Sequence, residues 1–315
     1  MTSIIEYIRF IVIALSLGLG GCNGAGGSEA AKPEVTPSAS ASSASASVSK
    51  LVAPVNSDYR LPQKVSLCGE PFDLTKDFIR ERLEFEFLRV VNHPAQVALW
   101  QRRAAVYFPF IEGELRAAGL PDDLKYLAMA ESDLRPWIES PAGALGLWQF
   151  MPGTARHFGL TVSPKVDQRQ LPEHLMGAAQ RYFKSLYAKF GSWALAMAAY
   201  NAGDGRVAKA VSSQGTKNYF DLDLPRETER YVYRIAAIKV VMENAAHYGF
   251  TSPVPPEHYR TPKYTERTVE VRAGETWAGL AQRLGCDYKT FRQLNPHLKQ
   301  APTKGVYALR LPAGR

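Results

Sequence analysis

Pro121-Asp122-Asp123-Leu124-Lys125-Tyr126-Leu127-Ala128-Met129-Ala130-Glu131-Ser132 is the stretch on which the reading of this chain turns. Pro121 stands where a first helical turn begins, a place where its missing N–H costs nothing. Asp122 and Asp123 follow at the positive end of the helix dipole. On that helix Leu124, Leu127, Ala128 and Glu131 share one face. Glu131 therefore ends an apolar stripe, an unusual place for a carboxylate. Burial there disfavours the charged form and raises the carboxyl's pKa. An acid still protonated near neutral pH can give its proton to a leaving oxygen. The competing reading is a frayed helix end that leaves Glu131 in water.

Working outward, the signals from Leu74 to Tyr248 are helical. Apolar residues recur at helical spacing in Phe78 to Val91 and in Val97 to Ala118. Ser192 caps an Ala-rich stretch that stops at Gly203. A last long helix carries Tyr231, Ile235, Ile238 and Met242 as an apolar stripe. Strand signals are scarce. Ser252-Pro253-Val254-Pro255-Pro256 then breaks the pattern. Beyond it, Thr268 to Val271 and Val306 to Leu311 read as strands, with Glu275 to Leu284 and Tyr288 to Leu294 as short helices between them. The expected fold is mainly α, a helical domain followed by a small α+β (βααβ) unit.

Further candidates for chemistry flank this core. Ser140-Pro141-Ala142-Gly143-Ala144-Leu145-Gly146-Leu147-Trp148-Gln149-Phe150-Met151-Pro152 mixes glycines, which permit close approach of a ligand, with large apolar groups and one amide. Trp148 and Met151 offer faces for sugar rings, or else belong to the core. Ala199-Tyr200-Asn201-Ala202-Gly203 sets a phenol beside an amide at a helix end, which by itself also reads as a plain helix stop.

Glu131-Ser132, Gly146-Leu147-Trp148-Gln149-Phe150-Met151-Pro152, Ala199-Tyr200-Asn201-Ala202-Gly203 and Glu227-Thr228-Glu229-Arg230-Tyr231-Val232, in that order, resemble the motifs of family 1 lytic transglycosylases. Within that family the resemblance is to the membrane-bound D group. It implies a goose-lysozyme-like helical domain that cleaves peptidoglycan between N-acetylmuramic acid and N-acetylglucosamine. Glu131 matches the catalytic glutamate, which protonates the glycosidic oxygen and then takes a proton from the muramic C6 hydroxyl, leaving a 1,6-anhydro end. The family's chemistry draws on substrate assistance by the N-acetyl group. Ser140 matches a serine that hydrogen-bonds near that glutamate. Gln149, Met151, Tyr200 and Asn201 match residues lining the saccharide groove, and Tyr231 a tyrosine directed at the glutamate. Tyr231 also lies on the stripe of Ile235 and Ile238, so a core role competes. Trp148 replaces a methionine common in other branches. The resemblance implies no metal and no organic cofactor.

The terminal region resembles a LysM module, a small fold that binds glycans containing N-acetylglucosamine. Thr268-Val269-Glu270-Val271-Arg272-Ala273-Gly274-Glu275-Thr276-Trp277 carries its opening and Phe291-Arg292-Gln293-Leu294-Asn295 its middle. Val306 to Pro312 is a looser match for its end.

At the other end, Arg9 precedes the apolar run Phe10 to Leu17, which leads to Leu19-Gly20-Gly21-Cys22. This pattern fits a signal peptide, and the run falls short of the ~20 apolar residues of a bilayer-spanning helix. The competing reading is an uncleaved anchor. Leu19-Gly20-Gly21-Cys22 resembles a lipobox, which implies acylation of Cys22. Asn23 behind it favours, by resemblance to Gram-negative lipoproteins, the periplasmic face of the outer membrane. The expected organisation is a signal peptide at 1–21, a Gly/Ala/Ser/Pro tether at 22–57, a catalytic domain at 58–250, a linker at 251–266 and a LysM-like domain at 267–315.

Composition narrows the partners. The 315 residues are 46% hydrophobic, enough for a core, and carry a formal charge of +8. Basic and acidic residues are interspersed, with no Lys/Arg block interleaved with aromatics, so a nucleic-acid groove is not indicated. The expected partner is peptidoglycan glycan strands. Cys68 and Cys286 fall in different expected domains, weak grounds for a disulfide, and no Cys/His spacing suggests zinc. Two functional alternatives stay open: a muramidase drawing a second carboxylate from Asp133 or Asp204, and a non-catalytic wall-binding lipoprotein.

Overall fold

The computed structural model describes residues 59–250 and 263–313. The expected leader, Cys22 and the tether lie outside the described residues. The protein is mainly helical, with a small α+β unit at its C-terminal end.

The described chain enters through a hairpin, β1 (Ser66–Leu67) and β2 (Glu70–Pro71), which the sequence reading did not include. Its turn is Cys68-Gly69, with φ of 53° and 82°, the left-handed geometry of a two-residue hairpin. α1 (Asp77–Val91) and α2 (Pro94–Ala117) follow, each a little longer than its apolar repeat. Pro121 precedes a 3₁₀ turn, Asp122–Leu124, which runs into α3 (Lys125–Ser132). Leu124, Leu127, Ala128 and Met129 are wholly buried. α3 stops where Asp133 and Leu134 turn left-handed, at φ 54° and 57°.

After a loop come α4 (Pro152–His157), α5 (Pro172–Phe190), α6 (Trp193–Ala202), α7 (Asp204–Gln214) and α8 (Arg226–Glu243). α6 is buried along Trp193 to Ala199, as an Ala-rich, nearly all-apolar helix must be. Its first turn is held twice. Ser192 accepts a hydrogen bond from Leu195 N–H, and the Glu70 carboxylate accepts from Ser192 Oγ at 2.9 Å and from Ala194 N–H at 3.1 Å. α8 packs against α1, α3 and α6, burying Tyr231, Val232, Ile235, Ala236 and Ile238. That contact brings Tyr231 to α3.

The C-terminal unit is β3 (Tyr264–Val271), α9 (Trp277–Arg283), α10 (Tyr288–Leu294) and β4 (Gly305–Pro312). β3 and β4 pair antiparallel from Tyr264↔Pro312 to Val271↔Gly305. β3 thus begins inside the segment read as linker. Val269, Val271, Trp277, Leu280, Phe291, Leu309 and Leu311 form its core. Asn295 is fully buried, and its side chain joins α10 to β4 by donating to Phe291 O and Arg310 O and accepting from Arg310 N–H. Among the described residues no disulfide joins Cys68 to Cys286, and no helix is long and apolar enough to cross a membrane.

Candidate active site

Glu131 sits in the last turn of α3 and is half-buried. The Tyr231 hydroxyl, projecting from α8, donates a hydrogen bond to its Oε1. Burial pushes the Glu131 carboxyl up from its ordinary 4.5 to about 7. The Tyr231 hydrogen bond and the Arg234 charge pull it down, while Glu227 pushes it up. Desolvation dominates, which is why the acid stays partly protonated at neutral pH.

Ser132 ties α3 to the next motif, since its Oγ lies 2.8 Å from Leu147 O and 3.1 Å from Ala128 O. The loop that follows α3 is a folded ribbon in which Leu145 bridges both Glu139 and Phe150. Gln149 holds a left-handed backbone, φ 47°, and its amide nitrogen donates to Ile138 O at 3.0 Å and Gly146 O at 3.1 Å. Gly146 has φ 88°, and a Cβ there would come within 2.2 Å of Arg169 O. Only glycine fits that approach.

The other sequence candidates separate. Tyr200, at the end of α6, donates its hydroxyl to Trp148 O. Burial and the neighbouring Glu131 charge raise its pKa well above the usual phenol range, so it stays a neutral donor. Asn201 accepts from Thr228 Oγ1 at 3.1 Å, joining α6 to α8. Met151 is half-buried at the start of α4. Ser140 lies in the same loop, where its Oγ accepts from Ala144 N–H at 3.0 Å. Trp148 is fully buried, edge-on to Phe183 with ring centroids 5.2 Å apart. Of the two readings of Trp148, the core one holds: its indole is buried, and its contribution to the site is a backbone carbonyl.

Two charges near Glu131 went unassigned in the sequence. Arg234 donates to Glu227 at 3.0 Å, and its other face lies 3.9 Å from the buried Glu86, which also binds Arg230 at 2.5 Å. Glu227 stood inside a quoted motif, and Arg234 falls one helical turn beyond Arg230, the available signal. Among the described residues no cluster of three His, Cys, Asp or Glu is placed to hold a metal ion. The arrangement can do acid–base chemistry with one carboxyl, flanked by two neutral phenols.

Residues 108–222 match the family described as the transglycosylase SLT domain. The matched span contains Glu131, the 138–151 loop and Tyr200-Asn201. The membrane-bound lytic murein transglycosylase D of Escherichia coli K12 is 33% identical over 186 residues, which are 58% of this chain and 40% of that protein. The soluble lytic murein transglycosylase of Salmonella typhimurium is 41% identical over 86 residues, 26% of this chain and 13% of its own. The structure of the 70 kDa soluble lytic transglycosylase from Escherichia coli superposes with a TM-score of 0.37 and 28% identity, covering 48% of this chain and 25% of that one. The chain thus spans less than half the length of these relatives.

Proposed function

We propose that this chain is a peptidoglycan lytic transglycosylase, cleaving between N-acetylmuramic acid and N-acetylglucosamine and leaving 1,6-anhydro ends. The observation that carries the reading is Glu131: a half-buried carboxyl pushed up to about 7, one oxygen held by Tyr231, inside a segment that matches the transglycosylase SLT domain. Protonated Glu131 gives its proton to the glycosidic oxygen as the C1–O bond breaks. The carboxylate then takes the C6 hydroxyl proton of the muramic ring while that oxygen closes on C1. The proton count returns to its start and no water is consumed. The Tyr231 hydroxyl orients the carboxyl and stabilises its charged form.

Most glycosidases need a second carboxyl. Asp133 accepts from Trp100 Nε1 at 2.9 Å and Arg135 at 3.1 Å, and Asp204 is paired with Lys189 at 2.6 Å. Both are engaged by other partners, and Glu227, whose charge Glu131 does feel, is tied to Arg234 at 3.0 Å, which favours the intramolecular C6 attack over activated water. The C-terminal unit takes glycan in a hollow of about 370 Å³ lined by Thr276, Trp277, Tyr288, Arg292 and Gln300. Acylation of Cys22 anchors the chain at the periplasmic face of the outer membrane; this part of the reading is supported by the lipobox-like sequence alone.

Digestion of purified peptidoglycan with the protein and with Glu131→Gln, followed by mass spectrometry of the muropeptides, tests the reading. Anhydro-muramic ends from the parent and none from the variant are expected. Reducing muramic ends would overturn it and direct attention to Glu227 as a second carboxylate. Wall binding without cleavage would leave the non-catalytic reading standing.

A further inference from the structure

The segment between α4 and α5 is where the two folded parts of the chain meet. Val162 bridges Asp167, and Ser163 Oγ accepts from Val166 N–H at 3.1 Å, so residues 162–167 form a small hairpin. A strap from the C-terminal unit lies along its outer edge. Val166 bridges Leu298 in antiparallel fashion, Asp167 N–H donates to His297 O at 2.8 Å, and Lys299 N–H donates to Lys165 O at 2.9 Å. The partly buried Val166 side chain packs against the C-terminal unit's core, of which Leu298 is a buried member. Beside the strap, Glu173 at the start of α5 pairs with Arg310 at 3.1 Å and accepts from Tyr264 Oη at 3.0 Å.

The inner side of the same hairpin faces the 143–150 loop. Asp167 and Arg169 are both 4% exposed and form a two-pronged pair, Oδ1 to Nε at 2.9 Å and Oδ2 to the terminal nitrogen at 2.7 Å. The remaining guanidinium nitrogen donates to Gly143 O at 2.7 Å and to Phe150 O at 2.8 Å. One arginine therefore grips both ends of the loop that carries Gln149. A buried ion pair holds its place only while all its groups are partnered. The strap partners the Asp167 backbone and covers the Val166 side of the clasp.

We propose that the C-terminal unit braces the candidate active site: its strap, His297–Lys299, holds Asp167 and Arg169 as positioning residues that fix the 143–150 loop. This rests on the reading of that loop as part of the saccharide site. The unit then contributes to turnover itself, in addition to any affinity for the wall. Removing the strap exposes Val166 and the Asp167 N–H, and the clasp loosens on the loop side. Loss of placement by a fraction of an ångström is enough to slow a positioned reaction.

The test uses the full chain and two kinds of variant. Val166→Asp drives a charge into the interface, and Glu173→Arg opposes Arg310, which keeps Glu266 at 3.2 Å as its other partner; Glu173→Gln removes the pair without opposing Arg310. Turnover is measured at saturation on a short soluble muramic acid–N-acetylglucosamine oligomer, where wall affinity does not limit the rate. Amide hydrogen exchange is followed over residues 143–150. For Val166→Asp, kcat is expected to fall about tenfold and exchange in the loop to rise. Glu173→Arg follows in the same direction more weakly, and Glu173→Gln more weakly still. Wild-type kcat and loop exchange in Val166→Asp, with only KM on whole peptidoglycan raised, would overturn the brace. If the parent forms no anhydro ends, the functional reading fails instead, and the exchange data still decide the brace.

Discussion

Replacing Glu131 by glutamine is expected to stabilise the fold, and to do so only where the carboxyl is ionised. The carboxyl's pKa is raised from 4.5 to about 7 in the folded protein, chiefly by burial. In the unfolded chain it returns to the ordinary value. Between these limits the folded state binds more protons than the unfolded one, so stability falls as pH rises. Below 4.5 the carboxyl is neutral in both states and costs nothing extra; above about 7 the full penalty is present. Each tenfold in proton affinity is worth about 1.4 kcal/mol, which makes the plateau about 3 kcal/mol. Glutamine has the same shape, never ionises, and keeps an oxygen for the Tyr231 hydroxyl. Urea unfolding of the parent and Glu131→Gln at pH 4 and at pH 8 reads the effect directly. The variant should match the parent at pH 4 and exceed it by about 3 kcal/mol at pH 8, a rise in Tm on the order of 5 °C. An equal difference at both pH values, or a variant less stable at pH 8, would refute a carboxylate held against desolvation.

Three further outcomes follow from the same geometry. Tyr231→Phe removes a donor that favours the charged form of Glu131, so the alkaline limb of the kcat/KM profile should move up by about one pH unit while the maximum falls; a limb that stays or moves down would count against the contact. Gly146→Ala sets a methyl 2.2 Å from Arg169 O and should cost about 3 kcal/mol in denaturant unfolding, with loss of activity in whatever folded fraction remains. The Cys68 thiol is pushed up by burial and by Asp123 and Glu70 beside it, so at pH 8 it should resist iodoacetamide until the chain is unfolded; rapid alkylation of the native protein would contradict this.

Much of the helical body was legible because its apolar repeats are long. The α1, α2 and α8 stripes each bury a face, and α10 occupies the very span read for it. Glu131 and Tyr231 were legible too, as a carboxyl at the end of a stripe and a phenol on a facing one. What escaped was set by tertiary contact. The β1–β2 hairpin is too short for periodicity, and only the Cys68-Gly69 turn could have announced it. Trp148 reads as either a ligand face or core, and packing against Phe183 and the rest of the core decides for the second. Ser140 reads the same whether it faces a carboxylate or its own loop, and the bond its Oγ accepts from Ala144 N–H could not be read from spacing. Arg169 gave no sign of its partners, because Gly143 and Phe150 lie far from it in sequence.

Gln149 sets two local energies against each other. Its backbone sits at φ 47°, a conformation that costs an ordinary residue on the order of 1 kcal/mol and costs glycine nothing. Glycine there would relieve that strain but lose the amide that spans Ile138 O and Gly146 O, two bonds worth about 1 kcal/mol each, so glutamine is the more stable choice. Selection for heat stability alone should therefore keep the amide, and glycine here should lower Tm. The strained backbone is kept because the side chain that bears it also closes the loop on itself.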